Sequence, residues 1–342
     1  MSDLRLPAEW EPQSGVLLTW PHHHSDWSPV VAQVEPVYVA MTHAIARRQR
    51  TIVLCYDDAH RLHVEAMVRD TTGNVACVAV ATNDTWIRDY GPITVYAGAA
   101  PRLLDFRFNA WGGKFPHELD DRANTGLQCA GLLGTAPLMH VDMVLEGGSI
   151  ECDGAGTVLT TARCLLSARR NPGLDRDAIT LQLQRWLGVR RVLWLEHGGL
   201  AGDDNDGHID ILARFCDPHT IAYTRCDDPH DENYPELAAM EDELRRLRTM
   251  SGVPYRLVPL PWPAPRFGPD GRRLPAPYAN FLVVNGAVLL PVYGDGADDG
   301  ARRTLERCFP GREVVPIDCS ALIGQGGSLH CATMQLPRGV LN

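Results

Sequence analysis

The sequence has no apolar run that approaches the ~18 residues needed to cross a bilayer, and its opening stretch carries neither a basic n-region nor an apolar h-region. A membrane span and a secretory leader are therefore not expected, and a cytoplasmic location is. Also missing is any C-x-x-C pair. The ten cysteines, at 55, 77, 129, 152, 164, 216, 226, 308, 319 and 331, follow no compact spacing of a disulfide scaffold or zinc knuckle, so most should be buried, reduced thiols. Excess positive charge is absent too. A formal net charge of −10 disfavours nonspecific nucleic-acid binding and suits a small cationic partner. No low-complexity linker divides the 342 residues, and the longest proline-rich stretch, Pro259 to Pro277, has strand-like runs on both sides. Residues 1–342 therefore read as a single domain, 45% hydrophobic and long enough to bury a substantial core.

What recurs is an apolar strand, an amphipathic helix, a second apolar strand and a polar loop. Thr51 to Cys55 leads through a helix around His60 to Val68 into Val75 to Val80. Val158 to Thr161 leads through Asp175 to Leu187 into Arg191 to Leu195. Ile221 to Thr224 leads through Tyr234 to Met250 into Tyr255 to Leu260, and Ala287 to Val292 through Gly300 to Cys308 into Val314 to Ile317. One supersecondary unit repeated at about 60-residue spacing predicts a radial or stacked α/β architecture. A doubly wound sheet would also place loops at strand ends and stays open at this point.

The polar, glycine-bearing segments Asn83 to Pro92, Glu146 to Ser149, Asp203 to Asp210 and Gly324 to Cys331 follow second strands. Around a common axis they would meet at one end. Cys331 closes the run Gly324-Gln325-Gly326-Gly327-Ser328-Leu329-His330-Cys331, where glycines permit close backbone approach to a bound molecule. It is the strongest nucleophile candidate among the ten thiols. His208 and Asp210 follow Gly207; if a strand begins there, both point to one face, as a proton shuttle beside a cation-binding carboxylate. In Asp84-Thr85-Trp86-Ile87-Arg88-Asp89, Trp86 could stack on a planar cation and Asp89 could take two parallel hydrogen bonds from it. Glu146 ends an apolar strand and could orient a histidine. The acidic loop fails the calcium-loop pattern, because with Gly207 at the required glycine, Gly202 and Ala213 fall at the outer ligand positions. Neither His208, His330 and Cys331 nor His22-His23-His24 has the helical spacing of a zinc set, so no metal is expected.

Together these segments resemble the agmatine deiminase family of the guanidine-modifying pentein superfamily. The likeness runs from Leu6-Pro7-Ala8-Glu9-Trp10-Glu11-Pro12 and Trp20-Pro21-His22 through Thr85 to Pro92, Phe108 to Lys114 and Leu145 to Ile150. It continues through Gly207-His208-Ile209-Asp210, Asn280-Phe281 and Phe309 to Val315, ending at His330-Cys331. The resemblance implies a five-bladed α/β propeller of ββαβ-type repeats with its site on the axis. It implies Cys331 as nucleophile, His208 as general acid and base, Glu146 as the partner orienting His208, and Asp89 and Asp210 as a guanidinium clamp. Trp86 and Trp111 would be pocket walls, with Asp204 and Gly327 near the substrate. The implied activity is hydrolysis of a guanidino compound, agmatine first, to a ureido compound and ammonia, without cofactor. Ser328 stands where the family usually has Asn, and the 261–277 segment is short, so arginine, peptidyl arginine or a modified guanidine stay open as substrates. So do an amidinotransferase, a non-catalytic binding propeller and self-association.

Overall fold

The computed structural model describes residues 4–341. Its strands form five separate sheets, and each repeats one local order: a hairpin strand antiparallel to a central strand, a helical crossover, then a third strand parallel to the central one. The crossover helix makes parallel pairing of successive strands possible. In unit one the central strand Gln13–Thr19 is followed by the helix Val31–Ala46 and the strand Arg50–Cys55. An added helix, Asp58–Val68, leads to a further parallel strand, Val75–Ala79. The hairpin strand of this unit is Thr333–Pro337, so the two ends of the chain close one sheet.

Unit two comprises Ile93–Ala97, Ala100–Arg107, the short helix Ala123–Cys129 and Leu138–Val144, with Leu4–Arg5 added at its edge. Unit three is Ile150–Cys152, Thr157–Thr161, Arg176–Leu187 and Arg191–Leu195. Unit four is Ala213–Asp217, Thr220–Thr224, Tyr234–Arg246 and Arg256–Leu260. Unit five is Leu282–Val284, Ala287–Val292, Asp298–Cys308 and Glu313–Asp318. The four expected strand–helix–strand units lie where their periodicity puts them. The central strand and first helix of unit one, all of unit two and the hairpin strand of every unit are additional.

Local chemistry explains the elements. Ile52, Val53, Leu54 and Cys55 are wholly buried, the continuous apolar run of a strand covered on both faces. In Arg176–Leu187 the buried residues are Ile179, Leu183 and Leu187, one stripe at a spacing of four. Asp175 caps that helix by accepting from Ala178 N at 2.9 Å, and Gly188 ends it with a φ of 67°. Among the described residues no helix is long and apolar enough to cross a membrane. All ten cysteines are free and seven of them are buried.

The loop after the last strand of every unit runs toward one place. One expectation fails there. Residues 208 and 210 do not lie on a strand: Ile209–Ile211 forms a single 3-10 turn, and the strand begins at Ala213. The turn, not a period-two alternation, brings His208 and Asp210 together beside Gly148.

Candidate active site

Cys331 is 3% exposed and is held by Asn280 from the loop of unit four. Asn280 Nδ2 donates to Sγ at 3.2 Å, and its Oδ1 accepts from the backbone N–H of Cys331 at 3.4 Å. Burial, then the Asp210 and Asp89 carboxylates, push the thiol well above its usual pKa and so favour its protonated form.

Asp210 is fully buried. Its Oδ2 accepts from His330 Nδ1 at 2.8 Å and Asn280 Nδ2 at 3.2 Å, and lies 3.6 Å from Cys331 Sγ. Its Oδ1 has no partner. Burial alone would raise this carboxyl, but the His330 hydrogen bond and nearby positive charge outweigh it and hold Asp210 below the usual range. Asp89 is held differently, by neutral donors: Gly148 N at 2.9 Å on Oδ1 and Trp111 Nε1 at 2.9 Å on Oδ2. Burial lifts it to about 6, Asp210 and Glu146 adding to the effect and His208 opposing it.

His208 is fully buried with both ring nitrogens unpartnered. Nδ1 lies 3.6 Å from Asp89 Oδ1 and Nε2 lies 3.9 Å from Glu146 Oε2, each beyond a hydrogen bond. The ring thus stands between two carboxylates without being tied to either. Glu146 is instead gripped by Arg170 Nε, 2.8 and 2.9 Å from its two oxygens, and Arg170 reaches on to Asp206 at 2.6 Å. Glu146, Cys164 and His208 offer atoms within 4.8 Å of one another. That set does not suit a metal ion, because Arg170 already neutralises the carboxylate and burial, with Glu146, keeps the Cys164 thiol protonated.

Two glycines are required by contact. A Cβ on Gly148 would lie 2.7 Å from Asp89 Oδ1 and from His208 Nδ1, and one on Gly327 would lie 2.4 Å from the Trp86 ring. Trp111 reaches Asp89 from a left-handed turn in which Ala110, Trp111, Gly112 and Gly113 have φ of 48°, 55°, 90° and 77°. It is a positioning donor as well as a wall.

A cavity of about 200 Å³ leads from Cys331 and Asp89 past Trp86 and Trp111 to a mouth bearing Asp26, Asp84, Asp204 and Arg272. Of the residues expected from sequence, Cys331, Asp89, Trp86, Trp111, Asp204 and Gly327 line this cavity, while Asp210 and His208 pack directly behind its Cys331 and Asp89 walls and Glu146 lies beyond His208. Gly148 falls in the glycine-bearing segment Glu146 to Ser149, whereas nothing in the chemistry of Asn280, Arg170 or Arg272 marks them in the sequence; for Asn280 the only signal is the Asn280-Phe281 block.

The Porphyromonas-type peptidyl-arginine deiminase family model matches residues 5–337. An agmatine deiminase of Pseudomonas syringae pv. tomato is 33% identical, covering 97% of this chain and 95% of its own length. The chain is a member of the agmatine deiminase family. The C. jejuni agmatine deiminase, as a cysteine-to-serine variant with substrate bound, superimposes with a TM-score of 0.92 at 35% identity, over 98% of this chain and 97% of that one. A Porphyromonas gingivalis structure with a provisional arginine deiminase assignment gives 0.94 at 47% identity, over 99% and 100%. The mixed α/β pentein fold of the family is thus the fold of this chain.

Proposed function

We propose that the protein hydrolyses agmatine to N-carbamoylputrescine and ammonia through a covalent thiouronium on Cys331, in one domain whose five units surround the site as propeller blades. Supporting the blade arrangement are the fivefold repetition of strand order and the meeting of five loops, one from each unit. The observation that carries the chemistry is a thiol, Cys331, lying 3.6 Å from a carboxylate whose second oxygen is unpartnered, in the same cavity as a second buried carboxylate.

A guanidinium is planar and permanently charged, so water attacks its carbon slowly. Asp89 and the free Oδ1 of Asp210 would take its N–H groups and set the carbon about 3–3.5 Å from Sγ. The bound cation counters the two anions that keep the thiol protonated and so favours the thiolate, the thiol proton passing to solvent as the cation enters. Attack forms the C–S bond, and the departing nitrogen takes a proton from His208 and leaves as ammonia. Neutral His208 then takes a proton from water as it attacks the thiouronium; C–S cleavage releases the ureido product, and the proton lost from the adduct's hydroxyl returns to the departing sulfur, restoring Cys331. No step draws on a metal or organic cofactor. The free nitrogens of His208 suit this shuttle, because neither must first break a hydrogen bond.

The acidic mouth favours agmatine. Asp26, Asp84 and Asp204 face one base, Arg272, which suits a distal ammonium better than a carboxylate. Mass spectrometry of enzyme quenched during turnover is expected to find an amidino adduct on Cys331, and a product assay with agmatine, arginine and blocked arginine should rank agmatine first. A Cys331→Ala variant that retains turnover would refute the nucleophile.

A further inference from the structure

Two buried carboxylates close to one another ordinarily shed a charge by sharing a proton. Asp89 and Asp210 are not equivalent partners in that contest. Asp89 is bonded only by neutral N–H groups, whereas Asp210 is bonded by His330 Nδ1 at 2.8 Å. The other nitrogen of that ring, Nε2, lies 2.7 Å from Oε2 of Glu9, 321 residues away along the chain. Glu9 is itself fixed by Arg214 Nη2 at 3.0 Å and by Val283 N at 2.7 Å, with Arg88 at 3.8 Å. Arg214 continues to Glu151 at 2.7 Å.

With an acceptor at each nitrogen, the ring makes both hydrogen bonds only when both nitrogens carry protons. Arg88 and Arg214 stand against Glu9, Asp210 and Glu151, and a doubly protonated His330 completes the balance when Glu151, which burial pushes up to about 7, is ionised. The doubly protonated ring rests on the acceptor held at each nitrogen, since burial, Arg214 and Arg88 lower the His330 pKa on balance. The carboxylates on either side oppose them, and neither is a good home for the proton, since Glu9 and Asp210 are both held below the usual range despite burial. Asn280 and Cys331 complete the surroundings of Asp210, with His208 and Asp89 beside it around Gly148.

We propose that His330, anchored by Glu9, is a positioning residue that carries a proton on each ring nitrogen and fixes Asp210 as the permanent anion of the clamp, with Oδ1 free for the guanidinium. Asp89 is then the member that titrates. The proposal rests on reading these two carboxylates as a guanidinium clamp. It assigns work to a histidine and an N-terminal glutamate that the deimination steps do not themselves use.

The test compares wild type, H330N and E9Q in two measurements across pH: kcat/KM for agmatine, and binding of methylguanidinium to the intact enzyme. H330N keeps a donor toward Asp210 but not the charge. E9Q removes the anchor's charge and leaves the ring. In both variants the acid limb should steepen from one proton toward two and move up, so that kcat/KM falls about tenfold near pH 5.5 and less than about threefold on the alkaline plateau. A loss that is uniform across pH, or an unshifted limb, overturns the proposal. Should H330N fail to fold, as thermal melting would reveal, E9Q decides alone. A shifted binding limb without any agmatine turnover sinks the agmatine reading and upholds the relay; turnover with unshifted limbs does the reverse.

Discussion

The indole Nε1 of Trp111 donates to Asp89 Oδ2 at 2.9 Å from a turn in which Trp111 itself sits at a φ of 55°. A left-handed conformation costs a non-glycine residue about 1–2 kcal/mol. Asn109, whose side chain accepts from Gly112 N at 3.0 Å, helps to hold the turn. Trp111→Phe keeps a ring in the wall and removes the donor. Because a hydrogen bond to a charged group contributes about 1.5–3 kcal/mol, kcat/KM for agmatine should fall about 10- to 100-fold. Asp89 should also titrate higher, moving the acid limb up; a limb that stays in place would mean the bond does not steady the anion.

Asp89 also links activity to stability. Its folded pKa, about 6, lies above its ordinary 3.8, so the folded state binds the extra proton between those values. Its contribution to stability therefore falls as pH rises through that window. Asp89→Asn removes this loss while leaving one of the two N–H donors unpaired, an offset that does not vary with pH. From pH 4 to pH 7 the stability difference should move in favour of the variant by up to about 3 kcal/mol. Denaturant melts at several pH values measure it, and a difference that stays flat would place Asp89 at an ordinary pKa.

Arg170 and Glu146 form a wholly buried pair. Removing one member leaves an uncompensated charge, and Arg170→Met should cost about 3–5 kcal/mol. Adding Glu146→Gln to it should restore part of that loss, since the stranded anion is gone. Thermal melting of the two single variants and the double variant tests this, and additive losses would argue against coupling.

Gly148 is pressed between the clamp and the proton shuttle. A methyl group there would collide with Asp89, His208 and, at 3.2 Å, Asp210 Oδ2. Gly148→Ala should reduce kcat by about 100-fold or more, the order of loss that a displacement near 1 Å produces in an aligned site. Steady-state assays alongside a melting curve separate this from unfolding.

Arg272 hydrogen-bonds Gly202 O at 3.1 Å and Gly324 O at 3.2 Å, tying its hairpin to two of the site loops at the mouth. It is also the base that an incoming ammonium meets there. Arg272→Gln should lower KM for agmatine about fivefold, the scale of about 1 kcal/mol for a charge contact near water, and the gain should shrink with added salt. A raised KM at low salt would assign Arg272 to binding an anionic group instead.

The periods of the strands and helices were legible because they are local properties. An alternation or an i, i+4 stripe follows from the residues themselves, as in Ile179, Leu183 and Leu187. Unit two escaped for the same reason. Its crossover helix, Ala123–Cys129, is too short to display a stripe. The strand expected at Gly207 failed because alternation there comes from two site residues, not from burial on one sheet face.

By itself, then, the sequence determined the repeating unit, the polar loops at strand ends and the residue types able to handle a guanidinium. The tertiary structure decided which of those residues meet: Asn280 on Cys331, Trp111 and Gly148 on Asp89, Arg170 on Glu146, and Glu9 behind His330. Each of these contacts joins different loops or units. A hydrogen bond between residues from 22 to 321 positions apart depends on how separate sheets and loops pack, and no local pattern of side chains encodes that packing.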